Sequence, residues 1–123
     1  MLKAESIDHI NITVKNLESS VSFYKKFFGF DIKKEQPEDN SKIIGNDRIK
    51  LCLYEDKNLE IGEGINHFGF YIENFEEIIK TCKELGVKIE YGGEIEWGKS
   101  KSIYIEDPNG YTIELSNKKG GGL

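Results

Sequence analysis

The chain holds two histidines, His9 and His67, and they fall at equivalent positions of an internal repeat. Ile7-Asp8-His9-Ile10-Asn11-Ile12-Thr13-Val14-Lys15-Asn16-Leu17-Glu18 aligns with Ile65-Asn66-His67-Phe68-Gly69-Phe70-Tyr71-Ile72-Glu73-Asn74-Phe75-Glu76, so His67 stands 58 positions after His9. Both segments alternate in a two-residue period and are rich in β-branched and aromatic residues, as half-buried strands are. With Ile10, Ile12 and Val14 turned to a core, His9, Asn11 and Thr13 take the other face. Likewise Phe68, Phe70 and Ile72 oppose His67, Gly69 and Tyr71. In the last expected strand Ile113 and Leu115 turn inward, leaving Thr112, Glu114 and Ser116 outward. A single histidine or glutamate on a strand is ordinarily a hydrogen-bonded or solvated polar group. Two imidazoles at matching positions of a repeat, with a carboxylate of the same parity, point instead to metal ligation by His9, His67 and Glu114. Such a set leaves coordination positions open for substrate. One divalent ion is expected, and Zn, Mn, Fe, Ni and Co all suit these nitrogen and oxygen donors.

Each repeat must carry elements that hold these residues. Asn16 and Asn74 are natural helix N-caps, and Glu77 stands where it completes a capping-box-like pair with Asn74. Val21, Tyr24 and Phe28 recur at helical spacing in the first half, as do Ile78, Cys82 and Leu85 in the second. Gly29 and Gly86 then end the two helices. Three shorter strands are expected after each helix, near 29–35, 41–46 and 48–54, then near 87–91, 101–106 and 111–116. Asp107-Pro108-Asn109-Gly110 reads as the turn between the last two. The polar stretch 55–64 reads as the link between the halves, and residues 118–123 as a mobile tail. Hairpins instead of repeated βα crossovers exclude one doubly wound sheet. The expected fold is α+β: one domain over residues 1–123, built from tandem βαβββ modules at about 5–55 and 63–117.

The bulk properties narrow the function. At 123 residues the chain can bury a core without staples. Its 37% hydrophobic and 32% charged composition is that of a globular protein, and a net charge of −5 argues against nucleic-acid and anionic-membrane surfaces. No apolar run reaches the ~18 residues of a spanning helix, and the first ten residues lack a signal-peptide pattern. Cys52 and Cys82 lie far apart without CxxC spacing, which fits free thiols in a reducing cytoplasm.

Other side chains sort by the same parity. Aligning the two hairpins sets Leu51-Cys52-Leu53 over Ile113-Glu114-Leu115, so Cys52 is the counterpart of Glu114. Its open roles are a fourth soft ligand, a redox-sensitive thiol, or a small apolar filler, the reading that its leucine neighbours favour. Lys50 shares its face and could hold an anionic substrate, or be a solvated strand lysine. Ser102 and Tyr104 face the expected cleft if Ile103 and Ile105 fill the core. Trp97, in the polar segment 94–101, is a substrate-covering aromatic or a ring packed on its own neighbours. The substrate-binding candidates are Asn11, Lys50, Cys52, Tyr71, Trp97, Ser102 and Tyr104. The catalytic candidates are Glu114 and Tyr104.

Asp8-His9-Ile10, Ser22-Phe23-Tyr24 with Phe28-Gly29-Phe30, Asn66-His67-Phe68-Gly69-Phe70, and Glu106-Asp107-Pro108-Asn109-Gly110-Tyr111-Thr112-Ile113-Glu114-Leu115 together resemble the vicinal oxygen chelate superfamily. This is the glyoxalase, bleomycin-resistance and extradiol-dioxygenase group, and the resemblance covers residues 5–117. It implies paired βαβββ units forming a curved sheet cleft around a divalent metal. The family's ligands, one histidine from each half and the glutamate of the last strand, fall on His9, His67 and Glu114. It also implies Lewis-acid chemistry on a small oxygenated substrate, and homodimers, in which the two histidines of a site can come from different chains. The specialists diverge here. Glyoxalase I carries a fourth ligand, a glutamate, where this chain has Cys52. Extradiol dioxygenases need a further acid–base histidine beyond the two ligands. The fosfomycin-resistance thiol transferases share the three-ligand set, and Ser102 and Tyr104 resemble their cavity residues, but Glu94 stands where a lysine is expected. The resulting expectation is a cytoplasmic, metal-dependent lyase, isomerase or transferase. The expectation from a different class is a non-catalytic protein that sequesters an aromatic compound or antibiotic.

Overall fold

The computed structural model describes residues 9–61 and 67–119, together with residues 1, 3, 6 and 7. The chain divides into two compact units, Met1–Glu60 and Ile61–Leu123. The first runs β1 (Ile10–Val14), α1 (Leu17–Phe28), β2 (Asp31–Gln36), a 3-10 turn (Pro37–Asp39), β3 (Ser41–Gly45) and β4 (Lys50–Glu55). The second runs β5 (Phe68–Tyr71), a 3-10 turn (Phe75–Glu77), α2 (Ile78–Leu85), β6 (Ile95–Trp97), β7 (Ser100–Glu106) and β8 (Thr112–Ser116). Each unit holds one four-stranded sheet, ordered β1-β4-β3-β2 and β5-β8-β7-β6. In both, the first strand lies parallel to the fourth, with the third antiparallel beside it. This is the α+β fold of two tandem βαβββ modules. Asp8, Ile65, Asn66, residues 62–64 of the link and residues 120–123 of the tail lie outside the described residues.

In the first unit the apolar alternation does what parity requires. Ile12 and Val14 are buried, and so are Leu51 and Leu53 of β4 and Ile44 of β3. Helix α1 covers that face with Leu17, Ser20 and the fully buried Tyr24, whose ring stacks on Phe28 and Phe30. The helix starts where Asn16 Oδ1 accepts the Ser19 N–H at 2.8 Å. It ends at Gly29, whose φ of 71° lets its N–H return to the Lys25 carbonyl at 2.9 Å.

A second anchor of α1 comes from β4. The Leu17 N–H donates to Glu55 Oε2 at 2.9 Å, and Asn40 Nδ2 donates to Glu55 Oε1 at 3.2 Å. A carboxylate at a helix N-terminus satisfies an orphan donor and opposes the positive end of the dipole. These bonds, the Leu17 one foremost, hold the Glu55 carboxyl below its ordinary value of 4.5. A depressed carboxyl contributes stability that is present above the unfolded value and lost as pH falls through the folded one. Glu55→Gln is therefore expected to lower the melting temperature at neutral pH. The gap from wild type should close as the pH is taken below 4.5. A gap that stays constant over that titration would show that the charge is not the cause.

The second unit repeats the packing. Phe70, Ile78, Cys82, Ile113, Leu115, Ile103 and Ile105 are buried. Its helix begins later than Asn74 predicts. The side chains of Asn74 and Glu77 pair with each other, the Glu77 N–H returns to the Asn74 carbonyl in a 3-10 turn, and α2 opens only at Ile78. Leu85, expected on the apolar stripe, is 41% exposed. The strand expected at 87–91 is also displaced. Only Ile89 makes an isolated bridge there, to Ile105, and the edge strand is β6 at Ile95–Trp97. Positive φ at three successive residues, Tyr91 (55°), Gly92 (78°) and Gly93 (117°), turns the chain aside before a ladder can grow. No helix among the described residues is long and apolar enough to cross a membrane.

Candidate metal site and aromatic pocket

Strand β8 sits between β5 and β7, and its register sets one row of the sheet: Gly69, Glu114 and Tyr104 stand side by side on one face. The row is tight at glycine: a Cβ on Gly69 would lie 3.0 Å from the Glu114 carbonyl oxygen and 3.4 Å from its Cβ, so the neighbour would have to give by a few tenths of an ångström. Two residues upstream of Gly69, on the same parity, His67 reaches back to the carboxylate. Its Nε2 lies 3.1 Å from Glu114 Oε2. The other carboxylate oxygen is held from the buried side, where Ser102 Oγ donates to Glu114 Oε1 at 2.6 Å. Ser102 is fully buried, so its hydroxyl serves Glu114 from inside the sheet.

Tyr104 completes the cluster. Its ring meets His67 edge-on at 5.6 Å and Tyr91 edge-on at 5.3 Å. Burial raises the Tyr104 hydroxyl above its ordinary range, and the charge of Glu114 and the hydrogen bond with it push the same way. A hydrogen bond from the Trp97 side chain opposes them. The phenol therefore stays protonated at neutral pH and acts as a hydrogen-bond donor. In front of it lies a pocket of about 270 Å³ lined by His67, Tyr91, Ile95, Trp97, Tyr104 and Thr112. Trp97, in the polar segment 94–101, ends the edge strand β6 and is half exposed.

At this edge one nitrogen and one oxygen donor stand together. Two donors bound to one ion at about 2.0–2.2 Å with angles of 90–109° stand about 2.8–3.6 Å apart. The His67 nitrogen and Glu114 oxygen already have that separation. Among the described residues no group of three or more His, Cys, Asp or Glu side chains gathers as a metal cage. His9 stands exposed immediately before β1 in the first unit.

The remaining candidates divide between the two units. Register sets Asn11, Cys52 and Ile43 in one row of the first sheet, equivalent to Gly69, Glu114 and Tyr104 in the second. Cys52 is half-buried between the fully buried Leu51 and Leu53, while Asn11 and Lys50 are exposed. Ser41 occupies the place of Ser102, and its buried hydroxyl has no hydrogen-bond partner among the described residues. Tyr71 is 43% exposed, with the Lys119 ammonium 5.8 Å from its ring centre. Tyr91, Ile95 and Thr112 line the pocket without having been singled out from sequence. Thr112 shares the parity of Glu114, a signal that was legible. Tyr91 and Ile95 depend on the displaced edge strand.

This arrangement has known relatives. The chain belongs to the Glyoxalase/Bleomycin resistance protein/Dioxygenase superfamily, whose family model matches residues 6–115. It is 34% identical over 116 residues to a metallothiol transferase FosB of Staphylococcus haemolyticus, an alignment covering 90% of this chain and 82% of that protein. Among solved structures, it is similar to an integron cassette protein from the mobile metagenome of a Halifax Harbour sewage outfall, with a TM-score of 0.79 at 25% identity, covering 94% of this chain and 100% of that one. The fold is also that of the fosfomycin resistance protein FosX of Listeria monocytogenes, with a TM-score of 0.81 at 23% identity and 96% and 94% coverage.

Proposed function

We propose that the chain is a divalent-metal-dependent transferase of the vicinal oxygen chelate type that moves a thiol onto a small oxygenated electrophile. The observation that carries this reading is the 3.1 Å pairing of His67 Nε2 with Glu114 Oε2 at a small-molecule pocket. The likeness to proteins named metallothiol transferases favours transfer over the lyase and isomerase alternatives. The ligands proposed within the second unit are His67 and Glu114. When bound, the ion supplies Lewis acidity that stabilises negative charge developing on a substrate oxygen.

The protein's own residues prepare that step. Ser102 fixes one oxygen of Glu114 and leaves the other for ligation. Tyr104, kept protonated, offers a hydrogen bond to the oxygen on which charge develops. The rings of Trp97, Tyr91 and Tyr104 form an apolar wall beside the reacting end. In the transfer a C–S bond forms as a C–O bond breaks, and the thiol's proton ends on the released oxygen.

The aromatic lining of the pocket also suits a second reading, a protein that binds an aromatic compound without turning it over. One experiment separates the two. Protein purified without nickel resin is assayed for metal, for melting temperature with and without chelator, and for loss of free thiol against a panel of small epoxides. The transferase reading expects one divalent ion per chain, a melting temperature lowered by chelator, and thiol consumption restored by metal. Absence of stoichiometric metal and of thiol loss, with aromatic compounds still raising the melting temperature, would leave the binding protein.

A further inference from the structure

Tyr91 combines three features that folding alone does not explain. Its backbone sits at φ 55°, in the left-handed region that L residues other than Gly, Asn and Asp rarely visit. Its side chain is 69% exposed, so little burial offsets that strain. The ring nevertheless stands edge-on to Tyr104 at 5.3 Å and forms part of the pocket wall. Strain held at an exposed aromatic beside a pocket is a mark of a site residue.

The wall it joins is selective in charge. Among the described residues, none lining the pocket is a lysine or arginine. The nearby Lys101 pairs across the strands with Glu96, while Ile95 and Trp97, one residue to either side, line the pocket. Alternation therefore turns Lys101 to the opposite face of the sheet. There its ammonium is held by Glu94 at 3.6 Å and Glu96 at 3.9 Å.

We propose that Tyr91, with Trp97 and Tyr104, forms a subsite for an uncharged planar ring, and that Tyr91 sets a preference for ring-bearing substrates over those with an anionic head. This deepens the proposed function by naming the non-reacting part of the electrophile, and it rests on that reading only for what happens at the ring's oxygenated end. Aromatic pairing of this kind is worth about a two- to tenfold change in affinity.

Trp97 is the chain's single tryptophan, so its emission reports the pocket directly. The probes are benzyl alcohol, a neutral ring, and methylphosphonate, a small anion, each titrated into metal-free and metal-loaded wild type, Tyr91→Gly and Tyr91→Phe. In metal-free protein, benzyl alcohol should change the emission saturably and methylphosphonate should not. Tyr91→Gly should need roughly five times more benzyl alcohol, with an unchanged or raised melting temperature because glycine relieves the strain. Tyr91→Phe should keep wild-type affinity. The proposal is overturned if Tyr91→Gly binds benzyl alcohol as wild type does, or if methylphosphonate binds metal-free protein as tightly as the ring. A melting temperature lowered by more than about 5 °C in Tyr91→Gly would also overturn it, by making Tyr91 a folding residue. Ring binding without metal that survives a failed thiol-transfer assay removes the transferase reading alone. Thiol transfer without ring preference removes this one alone.

Discussion

Glu114→Ala is expected to abolish stoichiometric metal and to lower thiol transfer by roughly a thousandfold, the scale of losing one oxyanion-stabilising contact. Glu114 is the carboxylate at the meeting point of His67, Ser102 and Tyr104, and no neighbouring acid on its face substitutes for it in the described cluster. Ser102→Ala tests the support separately. It leaves the proposed ligands in place but frees Glu114 Oε1, and a loss of roughly 10- to 100-fold in metal affinity is expected, as for other groups that orient a ligand. Metal titration by calorimetry on both variants reads the two effects. Full metal content in Glu114→Ala would remove this residue from the site, and wild-type affinity in Ser102→Ala would reduce the 2.6 Å bond to a structural one.

The largest effect on stability is expected at Asp107. This residue is buried, and its Oδ1 accepts the backbone N–H groups of Asn109, Gly110 and Tyr111 at 2.9, 3.0 and 2.9 Å. Its Oδ2 accepts from Asn109 Nδ2 at 3.0 Å. The carboxylate thus knots the β7–β8 turn, the last corner before Glu114. Asp107→Ala leaves those donors without their partner and is expected to cost roughly 3–4 kcal/mol, given ~1–3 kcal/mol for each group left unsatisfied. For a chain of this size that is a fall of roughly 10–20 °C in melting temperature. Asp107→Asn keeps one acceptor oxygen and should lose less. A melting temperature within about 2 °C of wild type for Asp107→Ala would mean that Pro108 and Gly110 hold the turn unaided.

Much of this was legible because the chain says things twice. The repeat around His9 and His67, with two-residue alternation, placed β1, β5 and the inward faces correctly, and the strand registers match Cys52 to Glu114 as the aligned hairpins do. The glycine stops of both helices also read true, because φ > 0 at Gly29 and Gly86 is a local demand. What failed was decided by competition between neighbours. Asn74 reads as a cap, but its side chain accepts no backbone N–H: its Nδ2 donates to the Glu77 carboxylate, and a 3-10 turn closed by the Asn74 carbonyl stands before the helix. Residues 87–91 have strand character, yet the left-handed run at 91–93 diverts them, and with the strand went the sight of Tyr91 and Ile95 as pocket wall. Ser102 shares the face of Tyr104 and Glu114, as its parity predicts; what parity could not show is its bond to the Glu114 carboxylate.

The parallel pairing of the first and fourth strands has a consequence in time. Strand β5 finds its sheet partner in β8, with Phe68 opposite Ile113, and Glu114 follows His67 by 47 residues. At ~5–20 residues per second of synthesis, that separation is roughly 2–9 s on the ribosome. Throughout that interval Phe68-Gly69-Phe70-Tyr71 is an apolar strand without its ladder, the sort of edge that invites pairing with another chain. A nascent chain halted before Thr112 therefore carries the histidine without the carboxylate and exposes its stickiest segment. Solubility of such truncations should recover only once β8 is complete.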